Sequence, residues 1–441
     1  MSILVKIVRI FWIILGLVGL GCSSRTSRQP VTLTYLDVEW DTPDEMPSLA
    51  QDLQDFTRET GIQIRRLPRP DGSLNQLTLW RELLEKGGAS APDVVSIDVI
   101  WPGILNQYLL DLKPHFGAEL SAQNPIVVES YTVDGKVVAI PHHAYVGVLF
   151  YRPDLLRKYG YREPPKTWNQ LEVMAARIQK EERATGKTDF WGYVWQGGID
   201  EDLTCNGLEW QISDGGGLII ERDKKISVNN PNTIKAWQRA ARWVGSISPP
   251  GVVAYGKWDS HNVWASGNAV FLRSWMGDYA LINRGWPLSG TPAVGISEFG
   301  MTSVPGGTVG EGGTLGGNGL AVSKASTHPK EALEFVRFLV RRDVQRMRGG
   351  QRSVAPSNLE LFNPPGIITT YPELSKSRER TGGLVARPSV AAGAKYEDVT
   401  KAYIQELHSV LTKEKSPTAA AAELERQLVA ITGFQTGGAS K

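Results

Sequence analysis

Hydrophobic and polar positions recur along this chain in two periods, and the switches between them outline its elements. VTLTYLDVE (31–39) alternates as a strand does. Leu49, Leu53 and Phe56 then fall at i, i+4 and i+7, predicting a helix that Ser48 opens and Gly61 stops. IQIRRL (62–67) reads as a second strand, 73–86 as a helix ended by Gly87-Gly88, and the largely apolar DVVSID (93–98) as a third strand. Strands and helices alternating through short links argue for a mostly parallel sheet flanked by helices, an α/β fold.

Further along, VDGKVVAIP (133–141) predicts a hairpin turn at Asp134-Gly135 followed by a strand, and GVLFYRPDLLRKYG (147–160) a strand running into a helix. Thr167 begins an amphipathic helix with Leu171, Met174 and Ile178 on one side. Residues 231–244 and parts of 258–280 have helical spacing, and LTCNGLEW (203–210) reads as helix. Gly285 to Gly319 is dense in Gly and Pro and reads as a loop-rich crossing. Helices are predicted over 328–342, with Ala332, Phe335, Val336 and Leu339 on one face, and over 417–432, with Gly433 after it. The chain has no internal repeat and no low-complexity block.

The first 22 residues follow another rule. Lys6 and Arg9 precede the apolar run FWIILGLVGLG, which closes on Cys22 and gives way to Ser23, Ser24 and Arg25. A positive start, a short apolar stretch and small residues describe a secretory signal, too short for a comfortable membrane span. The segment resembles a bacterial lipoprotein signal, in which residues 1–21 are removed and Cys22 is lipidated. It departs at Gly19, where a Leu is usual; the alternative is an uncleaved anchor with an incidental Cys. Either way the chain is expected outside the cytoplasmic membrane, held to it by a polar tether over 22–30.

Composition narrows the function. Removing 1–21 takes away Lys6 and Arg9 and no acidic residue, which leaves 46 basic and 46 acidic side chains. A chain without net charge offers no electrostatic footprint for nucleic acid. With Cys22 lipidated, Cys205 is alone, so the chain must hold itself by its core and not by disulfides. Fourteen tryptophans exceed what a core usually needs, which suggests a surface that stacks on a ligand.

Catalytic signatures are weak. No G-x-S-x-G occurs, and GGTLGGNG (312–319) lacks the GK[ST] ending of a phosphate loop and runs into a strand. His142-His143 is the only His pair, and adjacent strand residues are expected on opposite faces, unable to share a metal. No metal or other cofactor is expected. Carboxylates are plentiful, so a glycosidase-like pair stays open as an alternative. Binding is better supported: Asp98 with Trp101, Trp195 near Glu201, and Trp275 in FLRSWMGDY put aromatic and polar groups together at expected strand ends. Flat rings for the apolar face of a sugar and carboxylates or Arg for its hydroxyls are what carbohydrate recognition needs.

These segments resemble the extracellular solute-binding lipoproteins of ABC sugar importers, most nearly the trehalose/maltose-binding proteins. The resemblance is carried by VSIDVIWPG (95–103), DGKVVAIPHHAYVGVLFYRPDLLRKYG (134–160), WQGGIDEDLTCNGLEWQISDGGG (195–217), VFLRSWMGDYAL (270–281), TLGGNGLAVS (314–323) and ARPSVAAGAKYEDV (386–399). It implies a two-lobe periplasmic-binding-protein-like fold with hinge crossings near 140–145, 297–304 and 354–360 and a cleft between the lobes. Lobe 1 would comprise 31–140 and 301–356, and lobe 2 141–300 and 357–441. It implies sugar-binding roles for Asp98, Trp275, Glu201, Gly316, Gly317 and Arg387. Asn318 stands where the family has a Trp, and His143 and Tyr145 where it has an aromatic and an Asp; Glu39 completes the candidate set. The family's Tyr-Glu-Gly-Leu segment reads Asp200-Glu201-Asp202-Leu203 here. The implied partners are a carbohydrate and the permease subunits of an importer, with the protein itself a monomer and not an enzyme. The alternatives are an exported carbohydrate-active enzyme and an orphan sugar sensor on the same fold.

Overall fold

The computed structural model describes residues 31–38, 47–70, 73–279, 282, 298–352, 357–358, 361 and 383–439. Cys22, Glu39 and most of the expected crossing at 354–360 lie outside the described residues. Among those described, the strands are β1 (Thr32–Leu36), β2 (Gln63–Arg66), β3 (Val94–Asp98), β4 (Thr132–Val133), β5 (Lys136–Val137), β6 (Ile140–Tyr151), β7 (Trp191–Val194), β8 (Ala269–Trp275), β9 (Gly300–Ser303), β10 (Gly313–Val322) and β11 (Leu384–Val385). The alternation read from the N-terminal third is present: β1 lies parallel to β2 and to β3, with helices Pro47–Thr60 and Ser73–Lys86 between them. The hairpin of β4 and β5 turns at Asp134 and Gly135, both with positive φ.

The main sheet runs β2-β1-β3-β10-β6-β8-β7, with β9 also on β6 and β11 on β10. β6 joins its two halves. Ile140 to Val146 pair with β10, whereas Gly147 to Tyr151 pair with β8 and β9. The chain returns through β10, whose Asn318–Val322 end lies antiparallel to β3. That return comes later than 297–304: β9 still pairs with the far half of β6, and of the Gly-rich stretch expected to be loop, 304–312 is irregular while its end, from Gly313, forms β10. The residues read as partly helical over 258–280 divide into helix Lys257–Ala265 and strand β8.

β10 and β6 meet at a bulge. Asn318 pairs with His143 and Gly319 with Pro141, so His142 is an extra residue. The bulge overturns the expectation that His142 and His143 point apart: their rings stack at 3.9 Å between centroids. Gly317 lies alongside with φ +131°, and a Cβ there would fall on the His143 carbonyl.

Helices cover both halves. Trp168–Ala184 begins where Thr167 accepts a bond from the Gln170 amide, and Leu171, Met174 and Ile178 are buried as their spacing predicts. Pro417–Thr432 opens on Ser416, which accepts from the Ala419 amide, and closes on left-handed Gly433. It packs on helix Tyr396–Leu411, which in turn lies on helices Glu201–Ser213 and Pro231–Trp243. Eight of the described tryptophans are fully buried, Trp101 and Trp195 among them, so neither is a ligand platform. Trp101 packs edge-on against Trp80, and the Trp195 indole donates to Ser248. Of the described tryptophans only Trp191, Trp258 and Trp275 keep partial exposure.

Candidate functional site

β10 is the spine of the site. Its Asn318 sits opposite Asp98, the last residue of β3. Two places along, Gly316 abuts the Trp275 ring; a Cβ there would lie 2.8 Å from Cζ3. The Leu315 carbonyl accepts from Arg387 Nη2 at 3.3 Å. One strand therefore aligns Asp98, Trp275 and Arg387, which are far apart in sequence.

Arg387 follows β11 and is buried. Its Nη1 donates to Glu201 Oε1 at 2.9 Å, and its Nη2 lies 3.5 Å from Asp98 Oδ1. Asp98 also accepts the Ile100 amide at 3.1 Å and keeps 28% of its side chain exposed. Burial pushes the Asp98 carboxyl above its ordinary range, and Arg387 only partly offsets this. Glu201 opens helix Glu201–Ser213, capped by Asp200. Burial raises it too, against Arg387, Tyr396 and Thr400. Its Oε1 takes bonds from Arg387 and Tyr396 and its Oε2 from Thr400. With both oxygens occupied, Glu201 serves as an anchor for Arg387 and is poorly placed to act as a nucleophile or base.

Trp275 ends β8 half-exposed. Asp278 accepts the Ser274 hydroxyl at 2.6 Å and the Trp275 amide at 3.3 Å, fixing the turn behind the ring. Lys257 and His261 reach the same carboxylate at 2.8 and 3.3 Å; burial works against its charge, but the Lys257 ammonium and the His261 hydrogen bond hold it ionised. The indole N–H donates to Asp202 at 3.1 Å. Arg273 stacks 4.4 Å from the ring centroid, its charge matched by a fully buried bidentate pair with Glu209 at 2.6 and 3.0 Å.

Of the expected site residues, Arg387 touches both Asp98 and Glu201, and Gly316, Gly317, Asn318 and Trp275 line up beside them. Tyr145 is half-buried, its ring lying where a Cβ on Gly277 would meet it. His143 is buried at 2% in its stack with His142, and it pairs with Asn318 on the side of β10 opposite Asp98. A cavity of about 1030 Å³ lies against Ile212, Leu218, Val309, Leu384 and Pro388, and of these site residues it touches only Arg387. Sequence reasoning missed Asp202, Glu209, Arg273 and Tyr396. A charged residue inside the apolar run VFLRSW signals a buried, paired charge at Arg273. Tyr396, Tyr403, Leu407 and Val410 keep a helical spacing that marks their helix.

The site thus combines a half-open ring, a partly open carboxylate and a fixed guanidinium, which is binding chemistry. Residues 39–346 match the bacterial extracellular solute-binding protein family. The chain belongs to that family. A probable ABC transporter-binding protein of Deinococcus radiodurans is 39% identical over 380 residues, covering 86% of this chain and 89% of that one. Maltose-bound MalE3 of T. maritima superposes with a TM-score of 0.80 at 28% identity, covering 91% of this chain and all of that one. A Thermotoga lettingae solute-binding protein bound to alpha-D-tagatose gives a TM-score of 0.79 at 18% identity, a likeness of fold, over 91% and 100% of the chains. This solute-binding protein has the two-lobe fold its motifs implied, and it serves an ABC transporter outside the cytoplasmic membrane.

Proposed function

We propose that this solute-binding protein captures a carbohydrate between its lobes, unchanged, and hands it to a membrane permease. Trp275 carries the reading. It is a partly exposed ring where most of the described tryptophans are buried, and it shares one strand of contacts with Asp98 and Arg387. A sugar offers an apolar C–H face to such a ring and paired hydroxyls to such a carboxylate. Maltose in MalE3 and tagatose in the T. lettingae protein support the ligand class. In this reading one lobe is 31–140 with the residues from β10 to 356, and the other is 141–303, which keeps β9, with 357–441.

A thermal-shift screen with maltose, trehalose, tagatose and ribitol tests it. A ligand at 100-fold over its Kd adds about 2.7 kcal/mol to stability. Trp275→Ala and Asp98→Ala are expected each to weaken binding by roughly ten- to a hundredfold while folding survives. Mutants with unchanged affinity but a much lower Tm would make both residues structural and overturn the assignment.

The anchor is a second part of the proposal: Cys22, once lipidated, tethers the mature chain through 22–30. Fatty-acid labelling of the wild type that disappears in Cys22→Ser is the expected result. Labelling that persists in the mutant would reject the anchor.

A further inference from the structure

The Trp275 ring is held at its N–H end by a carboxylate. Asp202 lies in the segment Asp200-Glu201-Asp202-Leu203, and its Oδ1 accepts the indole N–H at 3.1 Å. Buried indoles here take core partners where one is in reach: Trp80 donates to the Ser96 carbonyl and Trp168 to the Ser213 hydroxyl. Trp275 is partly exposed, yet its N–H is bonded to a charged acceptor. A carboxylate brought from a different element therefore fixes direction.

The rest of the cage agrees. Asp202 sits in the first turn of helix Glu201–Ser213, where a negative charge is favoured. Its backbone carbonyl is tied down by Asn206 Nδ2 at 3.1 Å, and that amide also reaches the Gln196 carbonyl at 2.9 Å. Arg273 occupies one face of the ring, and Gly316 closes its benzo edge. Only the other face is left for a ligand. We propose that Asp202 is a positioning residue, whose carboxylate locks the Trp275 indole so that this one face is presented ready-oriented to a sugar. A platform with no rotamer freedom to lose on binding gives tighter binding than the same ring left free. The proposal rests on the reading of Trp275 as a sugar platform.

The test uses full-length mature protein labelled with 5-fluorotryptophan, with the Trp275 resonance assigned by its loss in Trp275→Phe, and maltose as the titrant. Asp202→Gly and Asp202→Ala are expected to shift and broaden that fluorine resonance. They should weaken maltose binding about tenfold, as loss of one charge-assisted hydrogen bond does, with little change in Tm. Asp202→Asn keeps the acceptor oxygen and is expected to restore both the resonance and the affinity. An unchanged resonance in Asp202→Ala, or an Asn variant as damaged as the Ala variant, would overturn the positioning role. The platform reading fails separately, if Trp275→Phe and Trp275→Ala leave maltose binding untouched or the wild type binds no maltose. In that case the fluorine resonance alone decides whether Asp202 holds the ring.

Discussion

Glu182 shows how a single buried charge is kept in this protein. Its side chain has no exposure, yet Lys158 and Lys187 reach its two oxygens at 2.5 and 2.7 Å, and the Tyr159 hydroxyl adds a bond at 2.7 Å. Burial works to raise its carboxyl, but these three donors outweigh it and bring it from 4.5 down to about 2. A depressed carboxyl stabilises the folded state fully above its unfolded value, and that contribution fades as pH falls from 4.5 through about 2. Both lysines are half-exposed and screened by solvent, so the contribution at neutral pH is about 2 kcal/mol. Glu182→Gln should therefore unfold at lower denaturant at pH 7, with the gap to wild type closing below pH 4.5. Urea melts at pH 7 and pH 3 check this; an equal gap at both would mean packing, not charge, sets the loss. Glu209 and Arg273 pose the same problem deeper in. Gly147 has no side chain because a Cβ there would fall on Glu209 Oε1.

At the scale of elements, the sequence was legible wherever one physical signal acted alone. Helices 168–184 and 417–432 combine an amphipathic stripe with a hydroxyl cap, and the structure places both as the pattern reads. β10 was read as loop because glycines are permissive by themselves. They are required here by neighbours no local pattern reveals: the Trp275 ring at Gly316 and the His143 carbonyl at Gly317. The His142–His143 stack was unreadable for a related reason, since alternation holds only where no bulge interrupts it. The candidate site divides the same way. Asp98, Glu201, Trp275 and Arg387 stand in recognisable segments, and β10 brings them side by side. Asp202 and Tyr396 matter through the partners they meet, Trp275 and Glu201, and that information lies in tertiary contacts. Trp101 and Trp195 misled because a tryptophan beside an acid looks alike in a core and in a cleft; only burial separates the two.

At the scale of the whole molecule, the two halves of the sheet touch away from β6 and β10. Helix Pro102–Leu105, just after Asp98, packs on the 389–395 segment that follows Arg387, so closely that a Cβ on Gly103 would meet the Gly393 backbone at 2.8 Å. Arg81, on the helix before β3, pairs with Glu397 at 2.5 Å at the start of helix Tyr396–Leu411. Asp98 reaches Arg387 across the same seam. If the lobes close on a ligand, contacts of this kind exist only in the closed state and bias its population, so they act on affinity without touching the sugar. Arg81 is 41% exposed, and a pair of that kind is worth at most about a kcal/mol. Arg81→Ala should then weaken maltose binding about two- to fivefold and leave the binding stoichiometry alone. The same variant should need more maltose to reach the compact form in small-angle scattering, while the wild type shows a smaller radius of gyration when saturated. A scattering profile unchanged by saturating maltose would describe a rigid site, and Arg81 would then have no means of acting on a ligand it does not touch.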